Sequence, residues 1–374
     1  MKKTLFLLGL ATALGFNNAQ AVDWNWKGDI RYRYQSEIKQ DNEHSRDRHR
    51  IRVRFGVTPW INEELSAGLR LATGNDSDPI SRNQTLENGF SAKNIMLDEA
   101  YINYHPMFLN GDVNILLGKR DIAKTLFIEK DLVWDGDLTL EGATLQYGKD
   151  TDGKQKSGFG AIAGWYSLDE DKAKSDPYLL AFQGAYKGEV SDLGFDLGVG
   201  YYDFVHFDLD NDKDNDGKVN ILGFTPVFDY TGKDFNIVEF FGSLGGDITE
   251  TVPWKLYGQY AFNTASNSSI NYAIDNNARD AYLIGLKIGK AKNPGQLEGS
   301  AEYVHIEEDA VTIFTDSDRN AGRSTNLEGF KLSTTYHLVQ NMTVGATYMN
   351  FQDIDGSKKD QTQHLLQADV VVKF

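Results

Sequence analysis

Cysteine is absent from this 374-residue chain, so no disulfide framework holds it. Proline is scarce, at 7 residues, which suits long strands because proline removes ladder hydrogen bonds. Long hydrophobic runs are also missing. Beyond the N-terminal segment nothing approaches the roughly 18 continuous apolar residues of a membrane helix, and mean hydropathy is −0.45. A helical membrane protein is therefore excluded. A membrane β-barrel is not, because half of its strand residues face water and escape hydropathy windows. Positive charge is in deficit: the net charge is −16. That leaves no basic footprint for nucleic acid and no general positive surface for anionic lipid headgroups.

What is present begins with a secretory signal. Met1-Lys2-Lys3 precedes an apolar run from Leu5 to about Phe16, and Ala19-Gln20-Ala21 reads as a small-x-small cleavage site. Residues 1–21 are expected to be removed, leaving 22–374 as one exported domain with a net charge of −18 once Lys2 and Lys3 are gone.

Period-two alternation runs through the remainder. In Arg46–Val57, Arg48, Arg50, Arg52 and Arg54 alternate with His49, Ile51, Val53 and Phe55, placing a guanidinium ladder on one face of a strand and mostly apolar groups on the other. Similar stretches recur about sixteen times, most near the roughly 9–11 residues that carry a tilted strand across a bilayer. The connections alternate in length. Short ones, such as 59–64, 188–192 and 337–341, separate longer polar ones at 74–93, 120–137, 206–233, 263–277, 309–325 and 352–363; 149–156 is longer than its class should be. This asymmetry predicts an all-β fold: a closed antiparallel transmembrane barrel with short periplasmic turns and long extracellular loops in a Gram-negative outer membrane. The last segment alternates Leu366, Ala368, Val370 and Val372 outward and ends on Phe374. It resembles the terminal strand by which such barrels are recognised for assembly. Closure against the first strand satisfies the edge that lipid would not tolerate. Aromatics near strand ends, among them Trp24, Trp26, Trp60, Trp254 and Tyr336, fit interfacial girdles.

Ten of the thirteen arginines precede Asp121, so the first strands should build one basic lumen wall from Arg31, Arg33, Arg48, Arg50, Arg52, Arg54, Arg70 and Arg120. Like charges in water-filled space avoid the several kcal/mol per unpaired ion that burial costs. Salt bridges to neighbouring strand carboxylates would serve equally, and the two arrangements can coexist. The loop 120–137, third on the long-loop side after the connection between the first two strands and 74–93, is unusually apolar (Ile122, Leu126, Phe127, Ile128, Leu132, Val133, Trp134) yet carries Glu129, Asp131, Asp135 and Asp137, with Glu141 following. Folding inward would bury its apolar side and bring these carboxylates toward the arginines, creating a transverse field across a constriction.

Asp208, Asp210, Asp212, Asp214 and Asp216 resemble a calcium loop, but Gly223 stands where an EF-hand needs a bidentate glutamate. Two readings stand, a weak surface Ca²⁺ site in a long outer loop and a solvated acidic tip, and no other cofactor is implied. The seven histidines are scattered, there is no G-x-S-x-G, and only a Ser–His pair assembled across strands would leave a route to hydrolysis.

R-H-R-I-R-V-R-F-G-V (48–57), G-L-R-L-A-T-G (68–74), D-P-I-S-R-N-Q-T-L (78–86), L-L-G-K (116–119) and W-D-G-D-L-T-L-E-G (134–142) resemble the putative porin family of Gram-negative proteobacteria. The resemblance covers about the first 150 residues. It implies a passive diffusion channel for small hydrophilic solutes or ions, surrounded by outer-membrane lipid, trimeric by similarity to sixteen-stranded porins, and without catalytic residues. The alternative is a closed structural or adhesive barrel whose acidic extracellular loops bind Ca²⁺.

Overall fold

The computed structural model describes residues 22–39, 44–75, 78–170, 172, 175–207, 234–265, 278–316, 318–319, 325–356, 359 and 361–374. Sixteen long strands and one short one form a single antiparallel sheet. They are β1 (Asp23–Lys39), β2 (Arg46–Asn62), β3 (Leu65–Thr73), the two-residue β4 (Gln84–Thr85), β5 (Ile95–Tyr104), β6 (Val113–Asp121), β7 (Thr139–Tyr147), β8 (Gly158–Ser167) and β9 (Tyr178–Val190). The series continues with β10 (Leu193–Val205), β11 (Phe235–Thr249), β12 (Val252–Asn263), β13 (Asp280–Gly289), β14 (Leu297–Ile306), β15 (Leu327–Val339), β16 (Met342–Asp353) and β17 (Thr362–Lys373). Each long strand pairs with the next, and β17 returns to β1 from Asp29 opposite Lys373 to Lys39 opposite Gln363. Gly28 and Phe374 exchange backbone hydrogen bonds of 2.8 and 3.0 Å at the seam. Closure leaves the long strands without an open edge, the condition lipid imposes on a spanning sheet.

The alternation sorts side chains as expected. Along β6, Ile115 and Leu117 are exposed to the outside while Asn114, Leu116 and Arg120 are buried within. Trp24, Trp26, Phe55 and Phe374 stack outside the barrel at the end bearing the short turns.

The lumen is not uniform. One half is polar, lined by β1–β3, β5 and β17. The other half holds an apolar core against β7–β14 that includes Ile162, Leu179, Phe204, Ile237 and Val304. Two connections fill it. The third long loop, 122–138, turns inward through a one-turn helix, Ile122–Thr125, capped by Asp121. It buries Leu126, Phe127, Leu132, Val133 and Trp134; each large apolar side chain withdrawn from water contributes about 1.5–3 kcal/mol. Gly160 on β8 makes the approach possible, since a Cβ there would lie 2.6 Å from the Phe127 ring.

The seventh loop is expected to be an outer polar loop, and instead its described residues 307–316 and 318–319 enter the barrel. Ala310, Val311, Ile313 and Phe314 are buried, and the Asp135 amide donates to the Phe314 carbonyl over 2.6 Å. The long connection 148–157 also folds inward, which explains its length. Lys149 donates to the carbonyls of Ala123 and Leu126, and Gly153 (φ +84°) sits against Lys124, where a Cβ would meet the carbonyl at 2.6 Å.

Candidate functional site

The arginine ladder faces the lumen, and nearly every member meets a carboxylate. Arg33 donates to Asp369 over 2.7 Å and to Asp318 over 3.0 Å. Asp318 also lies 3.9 Å from Arg50. Asp29 accepts from Arg52 at 3.0 Å and from Arg54 at 2.7 Å. Arg48 pairs with Glu37. Arg70 binds Asp98, Glu99 and Asp121 at 2.5, 2.6 and 3.0 Å, and Arg82 shares Asp98 at 2.6 Å. The wall is therefore a seam of ion pairs to adjacent strands and to loop tips. Arg31 differs: its Nη2 donates to the Asn83 side chain over 2.6 Å, its Nε has no protein partner, and among the described residues no carboxylate lies within ion-pair reach. Arg120 faces inward too, but stacks on Tyr101 at 4.7 Å rather than joining an ion pair.

Of the third-loop carboxylates, only Asp137 meets the ladder, 3.6 Å from Arg52 and 3.7 Å from Arg54. The others correct the expectation. Glu129 pairs with Lys255 of β12 at 2.7 Å, and Asp131 pairs with Arg319 and with Lys331 of β15, so both point at the wall away from the arginines. Glu141 is not in the loop at all. It lies on β7, on the face opposite buried Leu140, and pairs with Lys119 on the barrel exterior. Loop orientation is the reason: the apolar face docks on β8–β11, and Gln183 clamps both the N–H and the C=O of Phe127 at 2.7 and 2.9 Å. That fixes which carboxylates reach which wall.

Asp135 is buried near Asp316 and Asp137. Burial first, then those neighbouring carboxylates, push its pKa well above the ordinary carboxylate value. Burial also works against ionised Asp131, but Arg319 and Lys331 outweigh it and hold Asp131 well below that value. The signs differ. The stabilisation tied to protonated Asp135 is complete below the unfolded carboxylate pKa and is lost as pH rises through its raised folded pKa. That tied to ionised Asp131 persists far into acid. Asp135→Asn is thus expected to abolish the loosening, with rising pH, of the junction between the two inward loops. Limited proteolysis of folded protein across a pH series reads this directly; an unchanged profile in the variant would count against it.

Sequence reasoning missed Asp29, Asp98, Glu99, Asp318 and Asp369 as partners, and the whole inner face of 307–319. The run Ala310-Val-Thr-Ile-Phe314 was a usable signal, of the same kind as the apolar third loop. Among the described residues no histidine is hydrogen-bonded to a serine, and none of the His, Asp and Glu side chains form a group of three that could hold a metal. Asp208 to Asp216 and the segment 1–21 lie outside the described residues.

The sequence matches the family model described as "Putative porin" over residues 12–220 and 206–374. The chain belongs to this porin family. No curated protein matches it. Among solved structures the porin is similar to OprB of Pseudomonas putida, at 11% identity over 94% of each chain with a TM-score of 0.59. It is similar to the outer membrane channel DcaP of Acinetobacter baumannii, at 13% identity over 96% of this chain and 99% of that one, TM-score 0.53. It is also similar to the trimer form of OmpT of Vibrio cholerae, at 11% identity over 95% and 100%, TM-score 0.50. At such identities the likeness shows the fold, a sixteen-stranded outer-membrane porin barrel. Family and fold together make the protein an outer-membrane channel with short turns on the periplasmic side.

Proposed function

We propose that this porin is a passive diffusion channel for small hydrophilic solutes or ions, exported by its N-terminal signal segment and assembled as a homotrimer. The conducting path runs between the arginine wall and the inward-folded third loop. The observation that carries this reading is the contact of Asp137 with Arg52 and Arg54, which joins the third loop to the opposite wall and bounds the aperture with fixed charges. Opposed charges at close quarters order water and sort permeants by charge and dipole. Reconstitution into planar bilayers tests it: stepwise conductance is expected, and folded protein that gives none would refute it.

Selectivity follows from the pairing. Paired arginines contribute little net field, whereas Arg31 adds an uncompensated positive charge. Arg31→Gln is expected to move the reversal potential in a salt gradient toward cations. The double change Arg33→Gln with Asp369→Asn removes a pair without changing the net charge and should leave the potential in place. Equal shifts in both would contradict the assignment.

A second reading, a closed structural barrel with Ca²⁺-binding loops, draws support from one observation. Gln35 and Gln367 face the lumen yet are only 1% and 2% exposed, because Asp318 and its loop cover them. Calorimetry with Ca²⁺ on wild type and on Asp212→Asn/Asp214→Asn separates that reading from the channel.

A further inference from the structure

The periplasmic end of the lumen contains a cavity of about 400 Å³ between the lower parts of β1–β3, β5 and β6 and the inward turn 148–157. Seven basic side chains line it against four carboxylates. Three of those carboxylates are already engaged. Asp29 holds Arg52 and Arg54, Glu99 holds Arg70 and Lys124, and Asp121 holds Arg70. The basic excess is therefore real at the level of contacts, not only of counting.

Arg120 is its centre. The side chain is 2% exposed, its guanidinium plane is held over the Tyr101 ring at 4.7 Å, and Nη2 donates to the Thr151 carbonyl over 2.9 Å. Nε and Nη1 have no partner in the protein. An ionised group buried with open donors costs several kcal/mol unless an acceptor meets it. A guanidinium edge offers parallel donors that match the two oxygens of a carboxylate or phosphate group. Lys124 and Lys154 flank the same cavity, the latter carried there by the inward turn. Lys149 nearby has its pKa pushed down to about 7, first by burial and then by the Arg120 charge.

We propose that this vestibule is a binding site for small oxyanionic solutes, in which a carboxylate or phosphate group accepts from the open donors of Arg120 while Lys154 adds its charge. The site deepens the channel reading by naming a solute class, and it rests on the lumen being reached by water. Its position at the inner end makes it a station at which an anionic solute pauses before entering the periplasm.

Isothermal titration of the folded barrel in detergent tests it, with inorganic phosphate and with acetate at constant chloride. Saturable binding of one or both oxyanions is expected; phosphate alone assigns the site to phosphate groups, and both assign it to oxyanions generally. Arg120→Gln should weaken binding by about ten-fold or more, equivalent to about 1.4 kcal/mol. Arg120→Lys, which keeps the charge but loses the fork, should weaken it partially. Lys154→Gln, at an exposed turn position that folding does not need, should weaken it several-fold. No saturable heat in wild type would overturn the proposal, as would undiminished affinity in Arg120→Lys and Lys154→Gln if Arg120→Gln fails to fold. The readout is independent of conductance: a barrel that conducts but binds no oxyanion refutes this site alone, and one that binds but never conducts refutes the channel.

Discussion

Trp134→Ala is expected to enlarge the single-channel conductance and make it noisier while leaving the sixteen-strand wall intact. Trp134 is 2% exposed and stands where the third loop, the seventh loop and the wall converge. Its ring meets Tyr202 edge-on at 5.0 Å and stacks with Phe204 at 5.9 Å and Phe314 at 6.4 Å. Removing a buried indole costs about 3–5 kcal/mol through lost transfer energy and the cavity left behind. The barrel's ladder hydrogen bonds do not depend on that side chain, so the loss falls on loop docking. The Gln183 clamp on Phe127, the Glu129–Lys255 pair and the Asp131–Arg319 pair still hold the loop's first half, while its second half keeps only the Asp135–Phe314 backbone bond and the contacts of Asp137 with Arg82, Arg52 and Arg54. The second half, with Asp137, loses its apolar anchor and the aperture widens, by about two-fold or more in conductance. Trp134→Phe, which keeps most of the apolar contact, should stay near wild type. Unchanged conductance in Trp134→Ala, with thermal unfolding also unchanged, would mean that the loop does not bound the path.

Asp131→Asn is expected to undock the seventh loop. Arg319 is 0% exposed and relies on Asp131 as its closest acid, with Asp316 at 3.9 Å. Lys331 shares the same carboxylate at 3.4 Å and also meets Asp316 at 3.2 Å. Deleting one partner of a buried pair costs up to about 3–5 kcal/mol, because Arg319 stays buried with only the more distant Asp316, which it must share with Lys331. The loop also donates from Thr315 to the carbonyls of Asp131 and Leu132, at 3.0 and 2.7 Å, but neutral hydrogen bonds of about 0.5–1.5 kcal/mol each do not replace the lost pair. Once 307–319 leaves, Asp318 releases Arg33 and Arg50, and the extracellular half of the lumen opens. Protease sensitivity within the loop and increased conductance should appear together. Adding Arg319→Gln to Asp131→Asn removes the orphaned charge, so the double variant should recover part of the loss, and a double-mutant cycle measures the coupling. Strict additivity would contradict the assignment of this pair as the latch.

Much of the wall was legible because membrane strands obey a period of two over lengths the bilayer sets. Arg48 to Arg54 pointed inward, as their apolar neighbours required, and the apolar third loop folded in to bury Leu126 and Trp134 as its composition demanded. Pairing partners were harder to read. Asp369 lies opposite Arg33 only through closure of β17 on β1, a register that depends on the whole circumference. Glu129 and Asp131 turned to Lys255 and Lys331 because the loop's rotation is set by which face packs on β8–β11, and a single lysine in a strand carries no local sign of that role. The inward course of 307–319 was hidden by the Asp and Arg residues around Ala310–Phe314. Those charges read as solvated, yet they form the buried pairs that hold the segment.

The absence of cysteine makes the most direct measurement simple, since any introduced cysteine is a unique reporter. Arg31→Cys and Ile30→Cys place that reporter on opposite faces of β1, one toward the lumen and one among the exposed outer side chains. In planar bilayers, a negatively charged methanethiosulfonate reagent should lower conductance stepwise in Arg31→Cys and leave Ile30→Cys unchanged. Block at neither position, or equal block at both, would contradict a conducting path along the arginine wall.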